Sequence, residues 1–151
     1  MNQQTSEAVI SKSVVVRRPV EDAFELFTTN IATWWPVKTH SVGQENAETV
    51  VLDCREGGRL YERTCDGEEH PWGTVTVWEP PRRLVCTWHP GRDEETGQEI
   101  EVVFEPHEDG TRLVLTHTGW DKRDAEMADA MASYDRGWES VLGFYTEAAK
   151  S

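Results

Sequence analysis

The chain has 151 residues, a hydrophobic share of 37% and a formal net charge of −13 at pH 7. This length corresponds to one ordinary domain of about 100–150 residues, so we expect a single domain over 1–151. The acidic surface repels phosphate backbones and anionic lipids, which excludes nucleic acid and membrane surfaces as expected partners.

The first predicted elements are a strand and a helix. Val- and Ile-rich sequence predicts a strand over Ala8–Val16. Pro19 suits the first turn of a helix, because its missing amide proton is not needed there. A second short helical segment should end before Pro36, since proline disfavours helix in the residue that precedes it. The apolar stripe of the helical region is Val20, Phe24, Phe27 and Ile31.

Six further strands are predicted in hairpin order. Turn dipeptides separate three pairs of strands: Gly57-Gly58, Pro80-Pro81 and Asp109-Gly110. The segment Pro90–Gln98 is polar and acidic and is predicted to be a mobile loop. The predicted strands are Glu48–Cys54, Arg59–Cys65, Thr74–Trp78, Leu84–Trp88, Glu99–Phe104 and Arg112–Thr118.

The last hairpin also allows a prediction of its register. With Asp109-Gly110 as a two-residue turn, Phe104 would pair with Leu115, and Val102 with His117. One face of the hairpin is mainly apolar and the other mainly charged, which is typical of an antiparallel sheet with one buried face. The apolar face consists of Ile100, Val102, Phe104, Leu113, Leu115 and His117.

A long amphipathic helix is predicted from Asp121 to Ala149. Asp121 and Asp124 form an acidic variant of a capping box at its start. The order of elements predicts an α+β protein, in which a seven-stranded antiparallel sheet wraps around this helix and two short helices follow the first strand. One seam of the helix carries Met127, Met131, Tyr134, Trp138, Val141, Tyr145 and Ala148.

The sequence contains no motif for a metal, a cofactor or a nucleophile. The histidines lack metal-ligand spacing, and neither a GxSxG elbow nor a phosphate loop is present. We therefore expect no metal and no cofactor, and no motif assigns a catalytic residue. Cys54, Cys65 and Cys86 are odd in number and no secretory signal is visible, so we expect free thiols and a cytoplasmic location. We also expect a monomer or homodimer.

The aromatic residues predict a cavity between sheet and helix. A sheet curved around one helix is hard to fill, and aromatic walls with few polar groups are typical of small-molecule pockets. The same side chains are consistent with a filled core, and both interpretations are open. The candidate ligand-binding residues are Trp35, Trp72, Trp88, Phe104, His117, Met127, Met131, Tyr134 and Trp138.

His117 has two interpretations of its own. The first is a functional histidine on the apolar face, which acts as a general base or orients a ligand. The second is a core histidine that is hydrogen-bonded to the backbone.

Segments spread over almost the whole chain carry a recognisable pattern. They are Arg55–Arg59, Val77–Leu84 leading into Thr87-Trp88, Gly110–Leu113, Thr116–Gly119, Pro19 with its helix, and Tyr134, Gly137-Trp138 and Leu142. Together they resemble the SRPBCC (START-like, birch-pollen-allergen-like) superfamily, in particular its group of Hsp ATPase activator homologues. The resemblance implies a helix-grip fold with an apolar cavity beneath the C-terminal helix.

Three functions follow as hypotheses. The first is binding of a small hydrophobic or aromatic molecule in the cavity. The second is a cyclase- or hydrolase-type enzyme, with His117, Glu62 or Tyr134 as acid–base candidates, because the resemblance implies such activities in some members. The third is a stress-related cochaperone that regulates a heat-shock-protein ATPase. A chaperone partner would require an exposed apolar patch rather than a deep pocket.

Overall fold

A computed structural model describes residues 8–89, 98–120 and 125–150. Seven antiparallel strands form one sheet in the order β1-β7-β6-β5-β4-β3-β2, and the long helix α2 packs against it. The strands are β1 Ala8–Val16, β2 Ala47–Leu52, β3 Arg59–Thr64, β4 Glu69–Glu79, β5 Arg83–Thr87, β6 Glu99–His107 and β7 Gly110–Trp120. The helices are α1 Val20–Phe27 and α2 Ala125–Ala149, with 3-10 turns at Ile31–Thr33 and Gln44–Asn46. The predicted α+β helix-grip architecture is confirmed.

Helix α1 is shorter than its apolar stripe indicated. The amide of Asn30 donates to the carbonyl of Glu25, five residues back, and that of Ile31 to Thr28, three residues back, so the α-helical hydrogen-bond pattern ends here. Ile31 therefore lies in a separate 3-10 turn, although it is buried as its place in the stripe required. Of the two short helices predicted after β1, the second is this 3-10 turn.

The predicted register of the β6–β7 hairpin is wrong by two residues. Phe104 pairs with Leu113 and Val102 with Leu115, so the turn consists of Glu108 and Asp109. Because the shift is an even number, every side chain keeps its face, and the predicted apolar face is buried. Gly110 begins β7 instead of forming the turn.

Contact with β1 explains the glycine at position 110. A Cβ there would lie 2.2 Å from the carbonyl oxygen of Val16, which only a residue without a side chain avoids. Its φ of +140° also favours glycine.

Helix α2 closes the sheet as predicted. Trp138, Val141 and Tyr145 are buried on its inner side, and the Nε of Arg18 donates to the carbonyl of Ala149 at 2.9 Å at its end. The predicted capping residues Asp121 and Asp124, and positions 90–97 of the predicted loop, lie outside the described residues. Within the described ranges, no helix combines the length and apolar character that a membrane span requires.

Candidate functional site

A pocket of about 450 Å³ lies between helix α2, the sheet and the segment that joins the two 3-10 turns. Its inner wall is aromatic, and its outer wall carries hydroxyl groups and one imidazole. Small-molecule sites of proteins usually measure about 300–1,000 Å³. The lining residues are Trp35, Thr39, His40, Ser41, Val42, Trp72, Trp88, Ser133, Tyr134, Gly137, Trp138 and Val141.

Four tryptophans from four parts of the chain form the inner wall, and we call them the tryptophan quartet: Trp35, Trp72, Trp88 and Trp138. Their ring centroids form a closed circuit, with separations of 5.1 Å (35 to 72), 5.7 Å (72 to 88), 5.2 Å (88 to 138) and 5.9 Å (138 to 35). These separations fall in the range of about 4.5–7 Å at which aromatic pairs attract. The quartet is therefore a packed aromatic surface and not a set of isolated rings.

Glu62 on β3 connects the quartet to the outer wall of the pocket. Its fully buried Oε1 accepts hydrogen bonds from Nε1 of Trp72 and from the amide of Val42, both at 2.6 Å. Its Oε2 accepts from the amide of Gly43, also at 2.6 Å. A Cβ at Gly43 would lie 3.0 Å from this oxygen, so glycine permits the close approach. Glu62 therefore positions the wall, and both of its oxygens are already engaged.

His117 lies beneath the quartet and is fully buried. Its Nδ1 accepts from Nε1 of Trp138 at 3.0 Å, because an indole N–H only donates. The proton of the neutral ring therefore lies on Nε2, which donates to Oε1 of Gln98 at 2.8 Å. Burial lowers the pKa of His117 from 6.5 to about 3. His117 is thus a core histidine, bonded to side chains instead of the backbone that the core interpretation assumed.

His40 and the hydroxyl groups around it form the mouth of the pocket. A second cavity of about 360 Å³ adjoins the first at this mouth. His40 is half-buried, and a Cβ at Gly137 of α2 would lie 3.9 Å from its Cδ2. The second cavity is lined by Thr39, His40, Ser133, Tyr134, Arg136, Gly137 and Ser140.

The candidate residues from the sequence separate into four groups. Phe104 lies beside α1, with ring centroids 5.1 Å from Phe24 and 5.9 Å from Phe27, and it does not line the pocket. Met127 and Met131 lie in the part of α2 whose side chains are outside the described set. His117 contacts the quartet from below. The candidates that line the pocket are Trp35, Trp72, Trp88, Tyr134 and Trp138.

Sequence reasoning missed His40, Ser41 and Gly137 as pocket residues. His40 and Ser41 follow Trp34-Trp35-Pro36 in a segment without periodicity. The available signal was that cluster of aromatic residues, which marks where the segment approaches the core. Gly137 belonged to the family pattern, but only the packing of α2 places it at the mouth.

Trp88 brings an unusual polar feature to the inner wall. Among the described residues, its buried Nε1 has no hydrogen-bond partner, and neither does the buried Nδ1 of His89. An unpaired buried donor costs about 1–3 kcal/mol. The described residues also contain no cluster of three side chains that could hold a metal ion.

Comparison with known proteins gives a family and several similar folds. The model of the family described as Activator of Hsp90 ATPase homolog 1-like protein matches residues 17–147. No curated protein matches the chain. An AHSA1-like protein from Aeromonas hydrophila is 22% identical, with a TM-score of 0.67 and coverage of 95% of this chain and 92% of that one. A protein from Bacillus halodurans is also 22% identical, with a TM-score of 0.68 and coverage of 94% and 97%.

One solved structure is more similar in sequence. An anthrahydroquino-gamma-pyrone synthase, Txn09, solved as a complex, is 38% identical to this chain. The alignment covers 76% of this chain and 79% of that one, with a TM-score of 0.55.

Proposed function

The chain belongs to the Activator of Hsp90 ATPase homolog 1-like family, and we propose that it binds a planar aromatic molecule in the pocket beneath helix α2. The tryptophan quartet is the observation that carries this proposal. Four indole rings in mutual contact offer flat, polarisable surfaces to one side of a cavity of about 450 Å³. A flat aromatic ligand matches such a wall better than a flexible aliphatic chain, because ring stacking adds to the burial of apolar area.

The ligand should also carry oxygen atoms. The mouth presents the hydroxyl of Ser133, whereas those of Thr39 and Ser41 already bond within their own segment, and the inner wall holds the unpaired Nε1 of Trp88. A carbonyl on the ligand would remove the cost of that unpaired donor. Since Nε1 is buried in this conformation, the carbonyl reaches it only after a neighbouring group moves.

Calorimetric titration tests the proposal. We expect alizarin, a planar hydroxyanthraquinone, to bind with a stoichiometry of one and to quench tryptophan fluorescence. Dodecanoate, a flexible aliphatic probe, should bind at least tenfold more weakly. Equal affinity for both probes, or no saturable binding of alizarin, would refute an aromatic-specific site.

A ring-forming enzyme is the second candidate function. It is supported by the 38% identity to a protein named as an anthrahydroquino-gamma-pyrone synthase. The pocket would then hold an aromatic polyketide while a group at the mouth moves a proton. Incubation with a partly cyclised aromatic polyketide, followed by mass spectrometry, should show cyclised product above the protein-free rate. Binding without any such product would leave the ligand-binding function alone.

Regulation of a chaperone ATPase remains a prediction that family membership supports. Among the described residues, the large apolar side chains exposed to solvent are Val9, Val15 and Phe144. A Phe144→Ser variant that stimulates a chaperone ATPase less than the unmodified protein would support this role. No stimulation by the unmodified protein would refute it.

A further inference from the structure

We propose that His40 is the proton acceptor of the pocket, and that it takes the proton of an acidic hydroxyl group, a phenol or an enol, on the bound aromatic molecule. The inference rests on the proposed ligand-binding function and adds to it a chemical step and a substrate class. Three features of His40 support it: a backbone held by hydrogen bonds, a ring oriented by Thr39, and a neighbouring positive charge that favours an anionic ligand.

The backbone of His40 is tied to the aromatic wall. Its carbonyl accepts a hydrogen bond from Nε1 of Trp35 at 2.8 Å, and its amide donates to the carbonyl of Pro36 at 2.8 Å. Trp35 is a member of the quartet, so the ring of His40 and the stacking surface share one support. A ligand stacked on the quartet is thereby presented to His40 in a constant geometry, which is the main requirement for efficient proton transfer.

The hydroxyl of Thr39 orients the ring of His40. The Thr39 hydroxyl lies 3.3 Å from the carbonyl of Pro36, which only accepts, and 2.8 Å from Nδ1 of His40. The carbonyl of Pro36 already accepts the amides of Thr39 and His40, so the main partner of the Thr39 hydroxyl is Nδ1 of His40, and this bond orients the ring. Nδ1 is thus engaged by Thr39 and Nε2 faces the ligand; as the proposed proton acceptor, His40 takes the tautomer in which Nδ1–H donates to the Thr39 hydroxyl and Nε2 holds the lone pair. A base oriented by a third group is the usual arrangement of acid–base sites.

The residues that face His40 favour an anionic ligand. Besides His40, the titratable side chains that line the two cavities, among the described residues, are Tyr134 and Arg136. Arg136 places a permanent positive charge at the mouth, where an oxygen that loses its proton becomes negative. Cδ2 of His40, which is bonded to Nε2, is the ring atom next to Gly137, which itself places no side chain against this edge.

Other acid–base candidates are already engaged. His117 has both ring nitrogens in hydrogen bonds and a pKa lowered to about 3 by burial. Glu62 accepts three N–H donors. Among the described residues, the ring of His40 is bonded through Nδ1 alone, so its Nε2 is open to a ligand, unlike the polar atoms of these two residues.

The step itself is a simple proton transfer. The O–H bond of the ligand breaks, its electron pair stays on the oxygen, and the proton forms a new N–H bond at Nε2. The products are an imidazolium and a phenolate or enolate, and return of the proton restores both partners. Neither partner is oxidised or reduced.

Alizarin provides the test, because its visible absorption moves to longer wavelength when a hydroxyl ionises. We expect alizarin bound to the unmodified protein to ionise at least tenfold more readily than free alizarin. His40→Gln should still quench tryptophan fluorescence on binding, but its bound alizarin should lose that tenfold gain. Thr39→Val, which keeps the imidazole and removes its orienting partner, should show an intermediate effect.

His107→Gln is the matched control, since His107 lies at the β6–β7 hairpin and does not line the pocket. It should behave as the unmodified protein. If His40→Gln binds alizarin and retains the full spectral shift, the role of His40 is refuted while the binding function stands. If the unmodified protein does not bind alizarin at all, the proposed function and this inference both fail.

Discussion

The Nε1 of Trp138 on helix α2 donates to the Nδ1 of His117 on β7, with the two atoms 3.0 Å apart. This bond joins helix α2, which covers the pocket, to the sheet and determines which nitrogen of the buried imidazole carries the proton. Protonation of Nδ1 would place two donors against each other. The bond therefore requires a neutral His117, in agreement with a pKa that burial lowers to about 3.

Stability should depend on the protonation of His117. Below pH 6.5 the unfolded chain gains a proton at this residue, while the folded protein does not until about pH 3. The free energy of unfolding should therefore fall as the pH drops through this window, by up to about 1.4 kcal/mol per pH unit from this group. Urea unfolding of the protein and of His117→Asn at pH 8, 6 and 4 measures the difference.

At pH 8 the His117→Asn variant should be less stable than the unmodified protein by about 2–3 kcal/mol, because the smaller side chain leaves a cavity in the core. This difference in the free energy of unfolding should shrink towards pH 4, because the unmodified protein loses stability through His117 while asparagine does not titrate. His107→Gln, at an exposed hairpin, should follow the unmodified protein at every pH. A constant deficit for His117→Asn would contradict the assignment of a neutral buried imidazole.

Filling the mouth of the pocket should abolish binding of an aromatic probe. Gly137 lines both cavities, and a Cβ there would already touch His40 at 3.9 Å, so the longer side chain of Gly137→Leu enters the space. Gly143→Leu is its matched control on the same helix, because a Cβ at Gly143 meets no atom within 4 Å. Both changes improve helix propensity by up to about 1 kcal/mol. We expect alizarin affinity to fall more than tenfold only for Gly137→Leu.

Replacement of Glu62 should loosen the wall of the pocket. In Glu62→Gln an amide NH₂ group replaces one of two oxygens that accept N–H donors at 2.6 Å, so two donors meet. We expect a loss of about 2–4 kcal/mol of stability, because buried donors lose their acceptor. Hydrogen exchange at the amides of Val42 and Gly43 should accelerate. The control is Glu69→Gln, which removes an exposed ion pair with Arg59 and should lower the stability by less than about 1 kcal/mol. An equal loss of stability in both variants would contradict the role of Glu62 in the wall.

Trp88 should discriminate between ligands with and without a carbonyl. Anthraquinone-2-sulfonate and anthracene-2-sulfonate share their charge and ring number and differ in the two carbonyl groups. The unmodified protein should prefer the quinone, because its oxygen satisfies the buried Nε1 of Trp88. Trp88→Phe should remove this preference. The control Trp78→Phe, at a residue that contacts Phe24 and does not line the pocket, should retain the preference for the quinone. A preference that survives Trp88→Phe would assign the selectivity to other groups.

The fold was predictable from local pattern, but strand pairing was less so. Alternation along β6 and β7 identifies their buried faces, because side-chain direction in a strand has a period of two. The partner of Phe104 was predicted as Leu115 and is Leu113. The error came from Gly110, whose identity reflects contact with Val16 in another strand and not the geometry of the turn.

The sequence by itself determined the seven strands, the long helix, the acidic surface and the presence of many large aromatic side chains, because these depend on composition and short-range periodicity. Only the tertiary structure decided which tryptophans meet, that Phe104 belongs with α1, and that His40 faces Gly137 at the mouth. It also decided that Glu62 supports the wall across a separation of twenty residues from Val42. Such contacts join positions with no local signature, since they form only when the sheet curves around the helix and brings distant segments together.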